Sequence, residues 1–297
     1  MAAQTNNDTV TVIMAVYNVA ATITETIQSV LNQTYSNLVL LVIDDGSTDG
    51  TNFIVNKYCD MDSRVRYIKM PQNQGIAYVR NYGIDHAVGD WIAFLDGDDL
   101  WEPTKLEEEM KLRNNMLKSA SKVFLDNGDP NPLFPGIIFT STAYCDYKGN
   151  RYSYILHAPL YVKYKKLLKQ NVMTCSSILC HRQVVDHFPV DGNLHEDFYT
   201  WLFCMKKGFR AFGIDKPLVV YRIDERSKSG SKWDAATMNY NVYKKLRFGI
   251  IKSFYYMCFY AVKNTLKYRK IFKSQQVQKT EAVGPTAEGA EEEKKEG

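Results

Sequence analysis

Apolar runs alternate with helical patterns along the first third of the chain. Continuous runs of aliphatic and β-branched residues occur at Val10 to Tyr17, Leu38 to Asp45, Val65 to Ile68 and Trp91 to Asp96. The segment between the first two runs has apolar residues at the i, i+4, i+7 and i+8 spacing of one helix face: Ile23, Ile27, Val30 and Leu31. Strands that alternate with helices in this way predict an α/β fold with a mostly parallel, doubly wound sheet.

The pattern changes after Asp99. We expect a charged helix from Pro103 to about Ser119, followed by a stretch rich in turn-forming residues. A strand is expected from Gly136 to Asp146, with a hairpin at the turn around Gly149. A helix that begins near Glu196 should end at Gly208, because lysines in a last turn followed by glycine are typical of a helix C-terminus.

Polar clusters follow three of the predicted strands. They are Ala15 to Asn18 (AVYN), Asp44 to Asp49 (DDGSTD) and Leu95 to Asp99 (LDGDD). The carboxyl ends of parallel strands meet at one edge of a sheet, and ligands of α/β proteins bind outside that edge. The sequence therefore predicts a binding site built from these three clusters.

The third cluster contains three carboxylates within four residues: Asp96, Asp98 and Asp99. Their mutual repulsion should raise their pKa values and destabilise the turn unless a cation is present. Mg²⁺ or Mn²⁺ would neutralise this repulsion, since these ions take oxygen ligands and commonly use carboxylates together with substrate phosphates. Alternatively, the aspartates are turn and N-cap residues ahead of the helix at Pro103.

The helix expected at Ile76 to Val88 carries an arginine beside its apolar face. At 100° per residue, Ala77, Ile84 and Val88 share one face and Arg80 lies on the flank of that face. A guanidinium near the buried side needs an anion, and phosphate is a good bidentate partner. Alternatively, Arg80 extends outward from the edge of the apolar stripe and is solvated.

The HED segment, His195 to Asp197, opens a predicted helix. Acidic residues in a first turn commonly stabilise the helix dipole. A carboxylate near a donor substrate could instead act as a general base that deprotonates an attacking hydroxyl. The sequence pattern leaves both interpretations open.

Charge and cysteine content add two expectations. The formal net charge of +4 hides an acidic end, since Glu281 to Gly297 holds six Glu, whereas Tyr240 to Lys279 has ten Lys or Arg and no Asp or Glu. The six cysteines form no CxxC pair, and the start of the chain has no basic and apolar signal segment. We expect packing thiols in a reducing, cytosolic compartment.

The basic region contains an apolar segment, Phe248 to Val262, with Lys252 inside it. The segment is shorter than the roughly 20 apolar residues that span a bilayer. Its aromatic residues and flanking lysines predict a helix that lies in the interface of an anionic leaflet. Alternatively, the apolar face packs on the rest of the protein and the lysines are solvated.

Several function classes lack their sequence signatures. No GxGxxG follows the first strand, which argues against a nicotinamide-dependent oxidoreductase, and no GxxxxGK[ST] P-loop is present. A nucleotidyltransferase that makes sugar nucleotides is the strongest enzymatic alternative, although its glycine-rich N-terminal loop is absent. A non-enzymatic module that binds membranes or nucleic acid would leave the acidic clusters unexplained.

Five motifs in order resemble those of the inverting GT-A glycosyltransferases of family 2: AVYN, VIDDGSTDGT, NQGIAYVRNYG, FLDGDDLW and HED. That family includes bacterial enzymes that build capsule, O-antigen and other surface polysaccharides. The resemblance is dense from Val10 to about Leu106 and thinner from Gly136 to Tyr221. It implies a Rossmann-like GT-A fold and transfer of a sugar from a nucleotide-sugar, with a UDP-sugar expected, to a hydroxyl of a glycan or lipid-linked acceptor.

The resemblance also implies donor-binding roles. Ala15, Tyr17 and Asp45 match positions that hold the nucleotide, with Asp45 near the uracil. Arg80 matches a residue near the nucleotide and its diphosphate. Asp96 matches the first member of the DxD motif, which faces the ribose or the donor sugar. One departure is that Ala15 stands where the family usually has proline.

The remaining implied roles concern the metal, the base and the acceptor. Asp98 matches the DxD member that binds Mn²⁺ or Mg²⁺, and Asp197 matches the catalytic base. His195 and Glu196 are expected to shape the acceptor site. Two basic groups are expected near the leaving diphosphate: Arg222 and Lys228. The QxxRW motif of processive synthases is missing, so transfer of single sugars is favoured.

These expectations divide the chain into five regions. They are a polar N-terminus (1–9), a nucleotide-sugar-binding half (10–106), an acceptor-binding half of the same GT-A domain (107–232), a basic amphipathic helical extension that associates with membranes (233–279) and a disordered acidic tail (280–297). The expected partners are a nucleotide-sugar, a lipid-diphosphate-linked acceptor and an anionic membrane surface, without nucleic acid. The expected location is the cytoplasmic face of the inner membrane, as a peripheral protein.

Overall fold

The structure is a computed structural model that describes residues 9–223 and 232–282. Its strands are β1 (Val10–Val16), β2 (Leu38–Asp44), β3 (Val65–Lys69), β4 (Trp91–Asp96), β5 (Leu100–Trp101), β6 (Ile137–Cys145), β7 (Arg151–Leu156), β8 (Tyr161–Val162), β9 (Ile178–His181) and β10 (Ala211–Arg222). Its helices are α1 (Ile23–Leu31), α2 (Thr51–Met61), α3 (Ile76–His86), α4 (Lys105–Leu117), α5 (Tyr164–Leu167), α6 (Glu196–Lys207), α7 (Lys232–Lys245) and α8 (Ile250–Ala282). A 3₁₀ turn, Cys175–Ser177, precedes β9.

The strands within these ranges form one sheet in the order β3-β2-β1-β4-β9-β6-β10-β5, with β7 beside β6 and β8 beside β10. The predicted α/β architecture is confirmed, and β1 to β4 pair in parallel as expected. The second half is mixed, because β9 is antiparallel to both β4 and β6 whereas β6 and β10 are parallel. The predicted hairpin is the antiparallel pair β6 and β7.

The register of the parallel strands aligns their carboxyl ends. Ala15 of β1 is opposite Asp96 of β4, and Val16 is opposite Asp44 of β2. All of β1 is buried, which explains its continuous apolar run. The polar clusters that follow these strands therefore share one edge of the sheet.

Helix α3 packs closely on the parallel strands. A Cβ built on Gly83 would lie 2.5 Å from Cγ2 of Ile13 and 3.0 Å from Cδ1 of Ile43. The lack of a side chain at this position lets the helix approach the sheet. This close approach brings Arg80, three residues earlier on the same helix, to the edge where the strands end.

The C-terminal helix α8 is longer than the segment that its apolar residues predict, since it has 33 residues. One face packs on the body of the protein, with Tyr260 and Ile271 buried. The other face exposes large apolar side chains, including Ile251 at 87% and Val262 at 61%. The packing interpretation of the apolar segment therefore holds for one face, whereas contact of the exposed face with a membrane stays a prediction. Within the described ranges, no helix combines the length and the apolar character needed to cross a bilayer. Most of the predicted acidic tail lies outside those ranges.

Candidate active site

Arg80 connects the end of β4 to the start of α6. Its Nη2 donates to Oδ1 of Asp96 at 2.7 Å, and its Nη1 donates to Oε1 of Glu196 at 2.8 Å. The guanidinium is buried and lies over the Phe188 ring, 5.4 Å from the ring centroid. Neither a solvated arginine nor a bare phosphate site describes this arrangement. Arg80 instead joins two acidic motifs that are far apart in the sequence.

The three aspartates of the third cluster have different environments. Asp96 pairs with Arg80, whereas Asp99 is buried and accepts hydrogen bonds from Ser176 Oγ at 2.5 Å and from the Arg222 backbone N–H at 2.9 Å. Burial, followed by the charges of Asp98 and Asp96, holds the pKa of Asp99 well above its ordinary value. The expected repulsion is therefore present at Asp99.

These environments fit a divalent ion that is bound mainly through one aspartate. No group of three or more His, Cys, Asp or Glu side chains within residues 9–223 and 232–282 is arranged to hold an ion by itself. Mg²⁺ and Mn²⁺ commonly need only one or two carboxylates when substrate phosphates complete the coordination. Asp98 is half-buried in the turn after β4, and one oxygen of Asp96 is engaged by Arg80. Oxygen donors for such an ion are therefore present at this edge.

The aspartates that end β2 hold the neighbouring loops. Asp45 is buried and accepts hydrogen bonds from the backbone N–H groups of Gln74 at 2.7 Å and Gly75 at 2.9 Å. Asp44 accepts a hydrogen bond from the Tyr67 hydroxyl at 2.6 Å. The structure therefore gives Asp45 the task of positioning the loop before α3, in addition to the nucleotide role that the resemblance implies.

The residues that end and follow β1 form a partly exposed surface beside this loop. Ala15 is buried in the strand, whereas the Tyr17 side chain is 50% exposed. Asn18 adopts a left-handed conformation with φ of 52°. Its backbone N–H donates to Ser47 Oγ, and its Oδ1 accepts from the Thr48 backbone N–H, each at 2.9 Å. These bonds hold the first two polar clusters together beside an accessible aromatic ring.

Asp197 occupies the first turn of α6. Its side chain is half-buried, accepts from the backbone N–H of Phe198 at 2.6 Å and lies 3.4 Å from Nδ2 of Asn171. Burial raises the pKa of Asp197 and the charge of Glu196 raises it further, while His195 acts in the opposite direction. A carboxylate with a raised pKa in a partly accessible position can accept a proton from a substrate.

Arg222 is placed differently from the expected diphosphate-binding group. Its Nε donates to the backbone oxygen of Asp98 at 2.8 Å, its Nη1 to the backbone oxygen of Tyr147 at 2.8 Å, and its Nη2 to Glu25 at 2.9 Å. All three guanidinium nitrogens therefore donate to protein atoms. Arg222 holds the aspartate turn, α1 and the β6–β7 hairpin together. The other basic group named from the sequence, Lys228, lies outside the described residues.

Several residues of the site carried no sequence signal. Ser176 accepts from the Asp96 backbone N–H at 3.2 Å and donates to Asp99, and Asn171 approaches Asp197. Helix α8 reaches the same region, because the Tyr260 ring lies 5.1 Å from the ring of Phe198. The apolar and basic pattern of α8 predicts a helix, but no local pattern shows that this helix contacts α6.

A family model described as Glycosyl transferase family 2 matches residues 11–177. An uncharacterized glycosyltransferase from Haemophilus influenzae is 33% identical over 269 residues, covering 89% of this chain and 100% of that protein. The UDP-Glc:alpha-D-GlcNAc-diphosphoundecaprenol beta-1,3-glucosyltransferase WfaP from Escherichia coli is 31% identical over 264 residues, covering 88% of this chain and 97% of that protein.

Solved structures with a similar fold are more distant in sequence. The mannosyltransferase PcManGT from Pyrobaculum calidifontis, solved in complex with GDP-Man and Mn2+, superposes with a TM-score of 0.62 at 20% identity. The alignment covers 93% of this chain and 76% of that chain. At this identity the similarity establishes the fold, which agrees with the mixed sheet described above.

Proposed function

The chain belongs to glycosyl transferase family 2, and from that premise we propose that it moves a single sugar from a UDP-sugar to a hydroxyl of a lipid-diphosphate-linked acceptor, with inversion of the anomeric carbon. The carboxyl edge of β1, β2 and β4 is called the donor edge below. The supporting observation is that Arg80 bonds both Asp96 at this edge and Glu196 at the start of α6. Glu196 is the neighbour of Asp197, so the bridge holds the proposed base beside the donor edge. The WfaP relative uses a UDP-sugar and a diphosphoundecaprenol-linked acceptor, which supports both substrate classes. The pathway we propose is the synthesis of a bacterial surface polysaccharide.

In the proposed reaction, Asp197 takes the proton of the acceptor hydroxyl. The freed oxygen attacks the anomeric carbon of the donor sugar from the face opposite the diphosphate, and the bond from that carbon to the diphosphate oxygen breaks. The raised pKa of Asp197 brings it closer to the pH at which a carboxylate can both remain ionised and accept a proton.

The donor would lie along the carboxyl edge of β1, β2 and β4. Tyr17 offers an accessible ring and Asp45 holds the adjacent loop, so we place the nucleotide there. Asp96, fixed by Arg80, would face the ribose or the sugar. Asp98 would hold Mn²⁺ or Mg²⁺, which supplies charge neutralisation for the leaving diphosphate when bound.

We place the protein on an anionic membrane surface through the exposed face of α8. Ile251, Phe254, Val262 and Leu266 are each more than half exposed on this face. The segment from Tyr240 to Lys279 has ten basic and no acidic residues, so its charge is complementary to anionic lipid. The lipid-linked acceptor would place this surface on the cytoplasmic leaflet.

The central experiment is a donor panel. The purified full chain is incubated with Mn²⁺, individual sugar nucleotides and a GlcNAc-diphosphate lipid, and nucleotide release and product are measured. We expect acceptor-dependent UDP release from one donor and a β-linked product from an α-linked donor. An α-linked product would contradict inversion. In a parallel incubation with a nucleoside triphosphate and a sugar phosphate, release of pyrophosphate would instead support a nucleotidyltransferase.

A further inference from the structure

One face of α8 contacts the start of α6 and the β6–β7 hairpin. The Tyr260 ring packs 5.1 Å from Phe198, the residue that follows Asp197. A second contact lies closer to the C-terminal end of α8, where Ile271 is fully buried in a cluster with Tyr144 and Leu156. This face of α8 therefore forms a wall on the Asp197 side of the site.

Lys267 lies on the same face. It is seven residues after Tyr260 and four residues before Ile271, spacings that place the three side chains along one side of a helix. The Lys267 side chain is half-buried, and its Nζ lies 4.8 Å from the centroid of the Tyr268 ring. Throughout the part of the chain that the structure describes, Lys267 forms no ion pair with a carboxylate. Several other lysines on the surface of the protein are paired in this way, including Lys207 and Lys216.

The electrostatic surroundings of Lys267 agree with this position. Burial lowers the pKa of Lys267 to about 8, and the charge of Asp197 acts to raise it. This agrees with the geometry, because the face of α8 that carries Lys267 contacts Phe198, the residue after Asp197, and the half-buried ammonium group has lost part of its hydration. A partly desolvated cation without an ion-pair partner gains free energy when an anion binds beside it.

The position of Lys267 in the fold indicates which anion it would bind. The donor diphosphate belongs at the end of β4 with Asp98, whereas Lys267 belongs to α8 on the Asp197 side. In a sugar carried on a lipid diphosphate, the phosphate is bonded to the sugar whose hydroxyl attacks. A base for that hydroxyl and a cation for that phosphate must therefore lie about one sugar ring apart. The opposite face of α8 exposes Ile251 and Val262, where the lipid would lie.

We propose that Lys267 binds a phosphate group of the lipid-linked acceptor and so positions the acceptor sugar against Asp197. This assignment rests on the proposed function and names the residue that would recognise the acceptor's diphosphate. Helix α8 would then both contact the lipid surface and bind the diphosphate that joins the lipid to the acceptor sugar.

The test compares Lys267→Met and Lys267→Gln with the charge-retaining Lys267→Arg. The acceptors are GlcNAc diphosphate on a short, water-soluble prenyl chain, and GlcNAc attached to the same chain without phosphate. The donor is the UDP-sugar that the panel identifies. Lys270→Met removes an exposed charge from the same helix and serves as the matched control.

For the diphosphate acceptor, we expect KM to rise about tenfold or more in Lys267→Met and Lys267→Gln, as for loss of a hydrogen bond to a charged group. KM for the donor and the slow hydrolysis of the donor without acceptor should not change. Lys267→Arg should retain most of the affinity, and Lys270→Met should match the unmodified protein. The phosphate-free acceptor should not distinguish Lys267→Met from the unmodified protein.

Three results would overturn the assignment. An unchanged KM for the diphosphate acceptor in Lys267→Met would remove the role of the lysine while the transfer activity stands. An equal loss with the phosphate-free acceptor would show a structural role. Weaker binding to anionic vesicles, with normal kinetics on the water-soluble acceptor, would assign Lys267 to lipid headgroups. Absence of transfer by the unmodified protein to any lipid diphosphate would instead refute the proposed function itself, and this assignment with it.

Discussion

The carboxylates at the donor edge and the carboxylate at the start of α6 are held in different ways. Asp44, Asp45 and Asp99 are almost completely buried, and each accepts two hydrogen bonds from the protein. Asp197 is half-buried, with one short bond from its own helix and one 3.4 Å contact with Asn171. These three carboxylates have their hydrogen-bond partners within the protein, whereas Asp197 retains capacity for a new partner.

This difference separates two tasks that a transferase must perform. Buried carboxylates with several donors fix loops, because moving them would leave both the acid and its donors unsatisfied. A carboxylate with fewer donors and a raised pKa is suited to receive a proton. Arg80 connects the two regions, since it is bonded to an acid of each. The following substitutions test the two regions separately and then the connection between them.

The largest effect is expected for Asp197→Asn. We expect transfer to fall by about 10²–10⁴-fold, the usual contribution of a general base. Binding of UDP should be retained, because the donor edge is unaffected. Transfer is measured by acceptor-dependent UDP release, and binding by calorimetry. Asp191→Asn, which changes an exposed carboxylate in the loop before α6, is the control. Near-normal turnover in Asp197→Asn would remove the base from the mechanism.

The raised pKa of Asp197 also predicts a pH effect with a definite sign. Because burial disfavours its charge, Asp197 reduces stability as the pH rises through its folded-state pKa. Asp197→Asn should therefore have a higher free energy of unfolding than the unmodified protein at pH 7.5, and the difference should shrink on acidification. Denaturant titrations at several pH values measure this. A less stable variant at pH 7.5 would contradict the environment described for Asp197.

The next largest effect is expected at the donor edge itself. Asp98→Ala should reduce transfer by about 10²–10³-fold, the range seen when one electrostatic stabiliser of a transition state is removed. Mn²⁺ should enhance UDP binding by the unmodified protein and not by the variant, as measured by calorimetry with and without the ion. Asp90→Asn is the control, because Asp90 is exposed at the opposite end of β4. Mn²⁺-dependent UDP binding by Asp98→Ala would assign the ion elsewhere.

A smaller effect, on both regions together, is expected for Arg80→Met. Removing the guanidinium leaves Asp96 and Glu196 without their shared partner. The free energy of unfolding should fall by about 3 kcal/mol, the lower end for a broken buried ion pair, because both carboxylates keep some contact with water. Denaturant titration measures this. Arg80→Lys keeps the charge and can satisfy only one of the two acids well, so its loss should be intermediate. Equal stability of Arg80→Met and the unmodified protein would show that the bridge contributes nothing.

The smallest effect on chemistry is expected at the exposed face of α8. The double substitution Ile251→Ser and Phe254→Ser should weaken sedimentation with anionic vesicles by about tenfold, since it removes two exposed apolar side chains from the contact. Transfer to a water-soluble acceptor should not change. Phe53→Ser, which removes an exposed aromatic side chain from α2, should leave sedimentation unaffected. Unchanged vesicle binding by the double variant would place the membrane contact elsewhere.

Much of the parallel half could be predicted from the sequence. The apolar runs of β1, β2 and β4 match the structure to within one residue at each end, and the polar clusters after them share an edge as expected. A strand buried on both faces must be apolar throughout, so its presence and its ends are visible locally. The strand order in the mixed half of the sheet was harder to predict, because β9 is four residues long and pairs with strands that are distant in sequence.

The amino-acid sequence by itself determined the parallel strands β1 to β4 and the helices between them, the acidic motifs at the strand ends and the family to which the chain belongs. Only the tertiary structure decided which acids pair with Arg80, that Arg222 is occupied by protein acceptors, and that α8 brings Lys267 to the Asp197 side. The reason is one of distance along the chain: periodicity reports on neighbours a few residues apart, whereas Arg80 and Glu196 are separated by 116 residues. Contacts of that kind form only when the packed elements bring their side chains together.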